Sequence, residues 1–297
     1  MIEKISYEGI PNCYRIFNEF IELIVTTTVG PRIICFRFLG TQNEFVSTIL
    51  PWGVAGHRLW HAPEKRIRTY IPDDNPISCV KYDSFIRLTQ PTETASGIQK
   101  ELDIPISPDQ NHISIVHRLY NRGLWPVELA PWAVSAMATG GKAIMPLPPR
   151  HKQGENSLVP TSMLSIWDYT DLSDPRLILG SKYIMLSQNA QSHGSLKIGL
   201  MDTDGWVAYY NKNHLFVVTF KYENGALYPD LGSSVEGCSS NVTLELERLA
   251  PLKLLQPDTY VEYQENWSLF NDVPEPFSDV DIDRNILPLI KALSFRC

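Results

Sequence analysis

The sequence has little positive charge in any one place. Its 26 Lys and Arg face 33 Asp and Glu, a formal net charge of -7, and no basic run exceeds a few residues. Phosphate contact needs a basic patch, so a nucleic-acid partner is not expected, and an acidic surface disfavours an anionic membrane. Long apolar runs are also missing. None approaches the ~18–20 residues of a spanning helix. The opening "MIEKISYEGIPNCYRIFN" has neither the apolar region nor the cleavage site of a secretory signal. Cysteine is scarce: the five, at 13, 35, 79, 238 and 297, are odd in number and form no CxxC. That pattern fits reduced thiols in a cytoplasmic protein, not a disulfide framework or a zinc site. The two Asn-x-Ser/Thr matches at Asn241 and Asn266 are then chance.

Signature motifs are absent as well. There is no GxSxG elbow, no phosphate loop and no GxGxxG, so no cofactor is expected. His57 and His61 are four apart, but HRLWH lacks the HExxH arrangement and reads as part of a loop, so no metal is assigned to it.

What the chain does have is many short β-branched or aromatic runs, such as "FIELIVTTTVG", "HISIVHRLYNRG" and "LFVVTFKYENG". Turn signals recur every ~8–15 residues, which favours an antiparallel sandwich or barrel over alternating strands and helices. Asp204-Gly205 and Asn224-Gly225 read as hairpin turns between late strands. The 22 Pro residues oppose long helices and fit long loops over a sheet core. Helical pattern is confined to the tail, about 280–297, where Ile286, Leu287, Leu289, Ile290 and Leu293 share a face and Pro288 sits awkwardly. The segment 146–160, "PLPPRHKQGENSLVP", reads as a long loop within one domain spanning 1–297, placed to act as a lid over a site.

Three polar groups stand out on this framework. Arg32, in "VGPRIICFRFLG", follows a turn onto an apolar strand and offers a fork for hydroxyls or a carboxylate. "WGVAGHRLWHAPEKR" combines His57, which titrates near neutral pH, with the guanidinium of Arg58, the flat ring of Trp60, and Glu64 to orient either cation. The third group is acidic. Asp230 and Glu236 bracket a Gly/Ser turn, and period-two alternation puts Thr243, Glu245 and Glu247 on one strand face. Such carboxylates ordinarily pair with Lys or Arg on a solvated face, and they gain a chemical role only if that face lines a cavity. Aromatic faces, carboxylates and Arg together suit carbohydrate handling, with a His/Glu pair for acid–base work on a hemiacetal.

Taken in order, "TTTVGPRIICFRFLG", "GHRLWHAPE", "HRLYNRGLWPVELAPWAVSAMATGG", "NVTLELERLAP" and "LQPDTYVEYQENWSLF" resemble the galactose mutarotase-like superfamily, over about residues 5–271. That superfamily includes aldose 1-epimerases, and the text is most similar to its DUF4380-type branch. The resemblance implies an all-β fold, an antiparallel β-supersandwich with a shallow sugar cleft on one sheet. In aldose 1-epimerases a strand-borne Glu takes the anomeric hydroxyl proton and a His protonates the ring oxygen. "VTLE" matches the Glu motif at Glu245, the early Arg matches Arg32, and the first sugar-contacting segment matches Gly56-His57-Arg58. The family's His position holds Ala130-Pro131-Trp132, none of which donates a proton there.

The first expectation is therefore an epimerase-like enzyme without cofactor or metal. Glu245 is its base, His57 its displaced acid, Arg32, Arg58, Asp230 and Glu236 bind hydroxyls, and Trp60 and Trp132 stack on the ring. The alternatives are a non-catalytic carbohydrate-binding protein, and an isomerase, lyase or cyclase acting on a non-sugar metabolite in the same cleft.

Overall fold

In the computed structural model, residues 1–46, 49–50, 53–150 and 160–293 are described. Trp52 and most of the 146–160 loop lie outside them, so no lid is assigned there. Among the described residues all paired strands run antiparallel; an 11-stranded and a 10-stranded sheet pack face to face, and Ile49–Leu50 pairs with Gly53–Val54 as a separate two-stranded sheet. Short β-branched and aromatic runs cannot bury both faces alone, and stacking two sheets gives each its apolar side. The shared core holds, among others, Phe36, Phe45, Phe216 and Trp267, whose rings meet at 5.4–5.7 Å.

Two expectations about local structure need correction. Asp204-Gly205 and Asn224-Gly225 do not close hairpins. Each carries the chain between sheets, from Leu196–Leu200 to Trp206–Asn211 and from His214–Phe220 to Val235–Ser239. The hairpin turn in this region is Lys212-Asn213, with φ of 48° and 67°, joining Asn211 to its cross-strand partner His214. HRLWH is not a loop either. His57–Ala62 is a strand between Arg32–Phe38 and Val127–Met137. It is entered through Gly56 at φ 88°, where a Cβ would lie 2.4 Å from the Ile33 carbonyl oxygen, so only glycine fits.

The tail forms two short helices, Asp279–Asn285 and Leu287–Leu293. Pro288 falls in the first turn of the second, where its missing N–H costs nothing. Ile282, Ile286 and Ile290 pack on the outer face of the second sheet, against Tyr183, Trp206 and Tyr210. No described helix is long and apolar enough to cross a membrane.

A polar network crosses the sandwich interior. Arg248 donates through Nε and Nη2 to the two carboxylate oxygens of Glu265 on the facing sheet, both at 2.8 Å. Trp267 Nε1 donates to Glu265 at 2.9 Å, and Arg248 also reaches Ser135 Oγ at 3.2 Å. Burial alone would raise the Glu265 pKa, but Arg248 holds it below the ordinary carboxylate range. Arg248→Met leaves a buried, unpaired carboxylate, and we expect a loss of about 3–5 kcal/mol in urea unfolding. Arg248→Met combined with Glu265→Gln removes that charge and is expected to recover part of the loss.

Candidate functional site

Alternation sorts the strand residues between core and cleft. From Leu244–Leu249, Leu244, Leu246 and Arg248 enter the core, while Glu245 and Glu247 line a cleft on the outer face of the first sheet. From His57–Ala62, Arg58 and Trp60 line the same cleft. The cross-strand register builds two rows. One runs Arg58, Val134, Glu247, Glu236, and the other Ala136, Glu245, Cys238, Lys197. Loops add Glu64, Tyr70, Asp73, Trp167 and Tyr169, and the cleft encloses about 730 Å³.

The expected residues divide. Arg58, Trp60, Trp132 and Glu245 come together here. Arg58 sits 3.9 Å over the Trp60 ring, and its Nη2 lies 3.6 Å from Glu245 Oε1. Trp60 meets Trp132 edge-to-face at 5.3 Å and Tyr70 at 5.4 Å. Glu245 keeps 21% of its side chain exposed and accepts no hydrogen bond from a described residue. Burial by the protein and the neighbouring Glu247 charge raise its pKa, while Arg58 opposes them.

His57 does not join them. It faces the sandwich interior with 0% exposure, on the opposite side of the sheet from Glu245. Its Nδ1 lies 2.9 Å from Ser135 Oγ, its Nε2 lies 2.8 Å from His117 Nε2, and its ring packs on Trp267. Burial, then His117 and Arg248, push its pKa well down, so it is neutral and out of reach of the cleft. The assignment of His57 as the acid is withdrawn on that geometry. His61 also points inward, as period two requires, with Nε2 3.6 Å from Glu93.

Three other expected ligands stand behind the wall. Arg32 is buried and ion-paired with Asp73, so Asp73 and not Arg32 lines the cleft. Glu236 is fully buried beside Lys197, at 2.7 Å. Burial raises its pKa well above the ordinary range, with Glu247 and Asp230 adding to the effect. Asp230 holds the left-handed φ of 48°, its backbone carbonyl accepts from Ser165 and Ser233, and it does not line the cleft.

Lys197 was missed from the sequence. It bonds Glu247 at 2.9 Å as well as Glu236, and its ammonium lies 4.8 Å from the Trp132 ring and 4.7 Å from Trp167. Burial alone would lower its pKa, but Glu247 and Glu236 more than reverse this, so it stays charged. Trp132 Nε1 donates to the same Glu247 oxygen at 2.8 Å. The signal in the sequence is a single Lys inside the apolar strand "LKIGL", which needs an acidic partner if it is buried. Among the described residues two donor sets have the grouping to hold a cation. Cys238, Glu245 and Glu247 lie in the cleft within 4.8 Å of one another, flanked by Lys197 and Arg58. His57, His117 and Glu265 are sealed in the core, where Arg248 already meets the Glu265 charge.

No family model matches the chain, so the DUF4380-type branch gains no support, and no curated protein matches it in sequence. Solved structures do match in shape. A proposed aldose 1-epimerase from Klebsiella pneumoniae is 10% identical, with TM-score 0.59 over 98% of this chain and 86% of that one. A galactose mutarotase-like protein from Lactobacillus casei is 8% identical, with TM-score 0.55 over 87% and 100%. A Synechocystis sp. PCC 6803 protein is 12% identical, with TM-score 0.56 over 91% and 99%. At such identities the likeness is one of architecture, and this chain has the galactose mutarotase-like fold.

Proposed function

We propose that the cleft binds a carbohydrate and that Glu245 is the acid–base group at its anomeric centre, making the protein an aldose 1-epimerase-like isomerase. The observation that carries this reading is Glu245 itself: a partly exposed carboxylate at the cleft wall, 3.6 Å from Arg58, with no hydrogen bond spent on a described residue. The aromatic lining of Trp60, Trp132, Trp167 and Tyr70 offers flat apolar surface to a sugar face. The similarity in shape to proposed aldose 1-epimerases agrees with it.

In this reading Glu245 takes the proton of the anomeric hydroxyl. The bond from the anomeric carbon to the ring oxygen breaks, and the ring oxygen needs a proton. Lys197, two strands away in the same row, supplies it in place of the core-facing His57. The alkoxide released by ring opening is basic enough to take a proton even from an ammonium that Glu236 and Glu247 hold charged. Rotation about the first carbon–carbon bond and reclosure return both protons, so no net charge is transferred.

Saturation-transfer NMR between α and β anomers across an aldose panel tests the reaction. Exchange above buffer is expected with at least one sugar, and Glu245→Gln should slow it by ~10²–10⁴, the usual weight of a general base. His57→Gln should lower stability without abolishing exchange, and a folded His57→Gln that has lost exchange would return His57 to the mechanism. The raised Glu245 pKa fixes the sign of the pH dependence. The base must be ionised, so the rate rises with pH, and the midpoint of the acidic limb should lie above the ~4.3 of an ordinary Glu.

A second reading, non-catalytic sugar binding, is favoured by one observation: among the described residues no His lines the cleft. It predicts that sugars bind, that binding survives Glu245→Gln, and that no anomer exchange occurs. Failure of every sugar to bind would leave an enzyme acting on a non-sugar metabolite.

A further inference from the structure

The cleft is built with a surplus of acceptors. Glu64, Asp73, Glu245 and Glu247 line it, and Glu236 and Asp230 stand close behind. Among the described residues the cations near it are Arg58, Lys197 and Arg32, three against six carboxylates. Each of the three already has an anionic neighbour. Lys197 serves both Glu236 and Glu247, Arg32 pairs with Asp73, and Arg58 lies over Trp60 beside Glu245.

Two acceptors at the cleft wall stand out. Glu245 is one, as described above. Asp73 is the other: its residue is 5% exposed, its Oδ1 takes Arg32, and its Oδ2 has no hydrogen-bond partner although it is buried at the cleft wall. A buried carboxylate oxygen without a donor is costly, and a ligand that brings a donor removes that cost. Burial is the main cause of the raised pKa values of Glu245, Glu236 and Asp230, and neighbouring carboxylates add to it, so a cation brought to the wall would favour their charged forms.

From this we propose that the cleft selects a cationic amino sugar, one with a free ammonium group, and rejects phosphorylated and other anionic sugars. The inference rests on the carbohydrate reading above and names its substrate class. An ammonium brings three donors and one positive charge to the carboxylates of this wall, Glu245 foremost, and offers Asp73 Oδ2 the donor it lacks. A phosphate brings only acceptors and negative charge. It would have to take Arg58 from Glu245 or Lys197 from its two carboxylates, and leave those groups unpaired.

Titration calorimetry with four probes tests it: a hexosamine, the parent hexose, the N-acetylated hexosamine and the hexose 6-phosphate. Both gluco and galacto series are used, at low salt and a mildly acidic pH where the amine is charged. The hexosamine should bind roughly tenfold tighter than the parent hexose, the scale of one charge-assisted hydrogen bond. The N-acetyl sugar should lose that gain, and the phosphate should bind more weakly than the hexose. Asp73→Asn and Glu245→Gln should each narrow the hexosamine-to-hexose ratio, and added salt should narrow it in the unmodified protein. If the hexose binds and the amine gives no advantage, or the phosphate binds as well as the hexose, this inference fails while the carbohydrate reading stands. If none of the probes binds in either series, the carbohydrate reading falls and this inference falls with it.

Discussion

The Arg248–Glu265 pair, buried between the sheets, sets the register on which the cleft depends. It joins Leu244–Leu249 on one sheet to Tyr260–Phe270 on the other. With Arg248 turned inward, strand alternation leaves Glu245 and Glu247 no side but the outer one. A slip of one residue would send both carboxylates into the core and Arg248 into the cleft. That slip is not tolerable, because it would bury Glu245 and Glu247 and leave the buried Glu265 without Arg248. The core network thus holds the cleft residues in place without touching any ligand.

The same logic explains how one strand serves two purposes. On His57–Ala62, His57, Leu59 and His61 belong to the interior, and Arg58 and Trp60 belong to the cleft. The inner histidines are accommodated because neighbouring strands meet them: Ser135, His117 and Arg248 for His57, and Glu93 near His61. Neutral imidazoles fit that environment, and burial keeps them neutral. On the cleft side one ammonium, Lys197, sits between two carboxylates, and burial, with the neighbouring Glu247 charge added, raises the pKa values of Glu236 and Glu245. Chemistry at the cleft and cohesion in the core therefore draw on separate sets of ionisable groups.

Much of the fold was legible because it rests on local pattern. Short β-branched runs between turns gave the antiparallel sandwich, and period two gave the shared face of Glu245 and Glu247. The failures came where partners distant in sequence decide. His57 owes its inward position to residues 60, 78 and 191 positions away, which no local window contains. Its polar, aromatic surroundings read as a loop, although Arg58 and Trp60 alternate with Leu59 as a strand requires. Asp204-Gly205 and Asn224-Gly225 have hairpin chemistry but serve as crossings between sheets. Lys197 was overlooked because a lone Lys in a strand has no meaning until Glu236 and Glu247 are seen to flank it.

The most direct test of the central claim is a crystal structure of the protein soaked with an aldose that it binds. The account predicts a sugar ring against Trp60 and Trp132, with the anomeric hydroxyl within ~2.6–3.2 Å of a Glu245 oxygen, the reach of proton transfer. A sugar bound elsewhere, or one whose anomeric carbon faces away from Glu245, would contradict it.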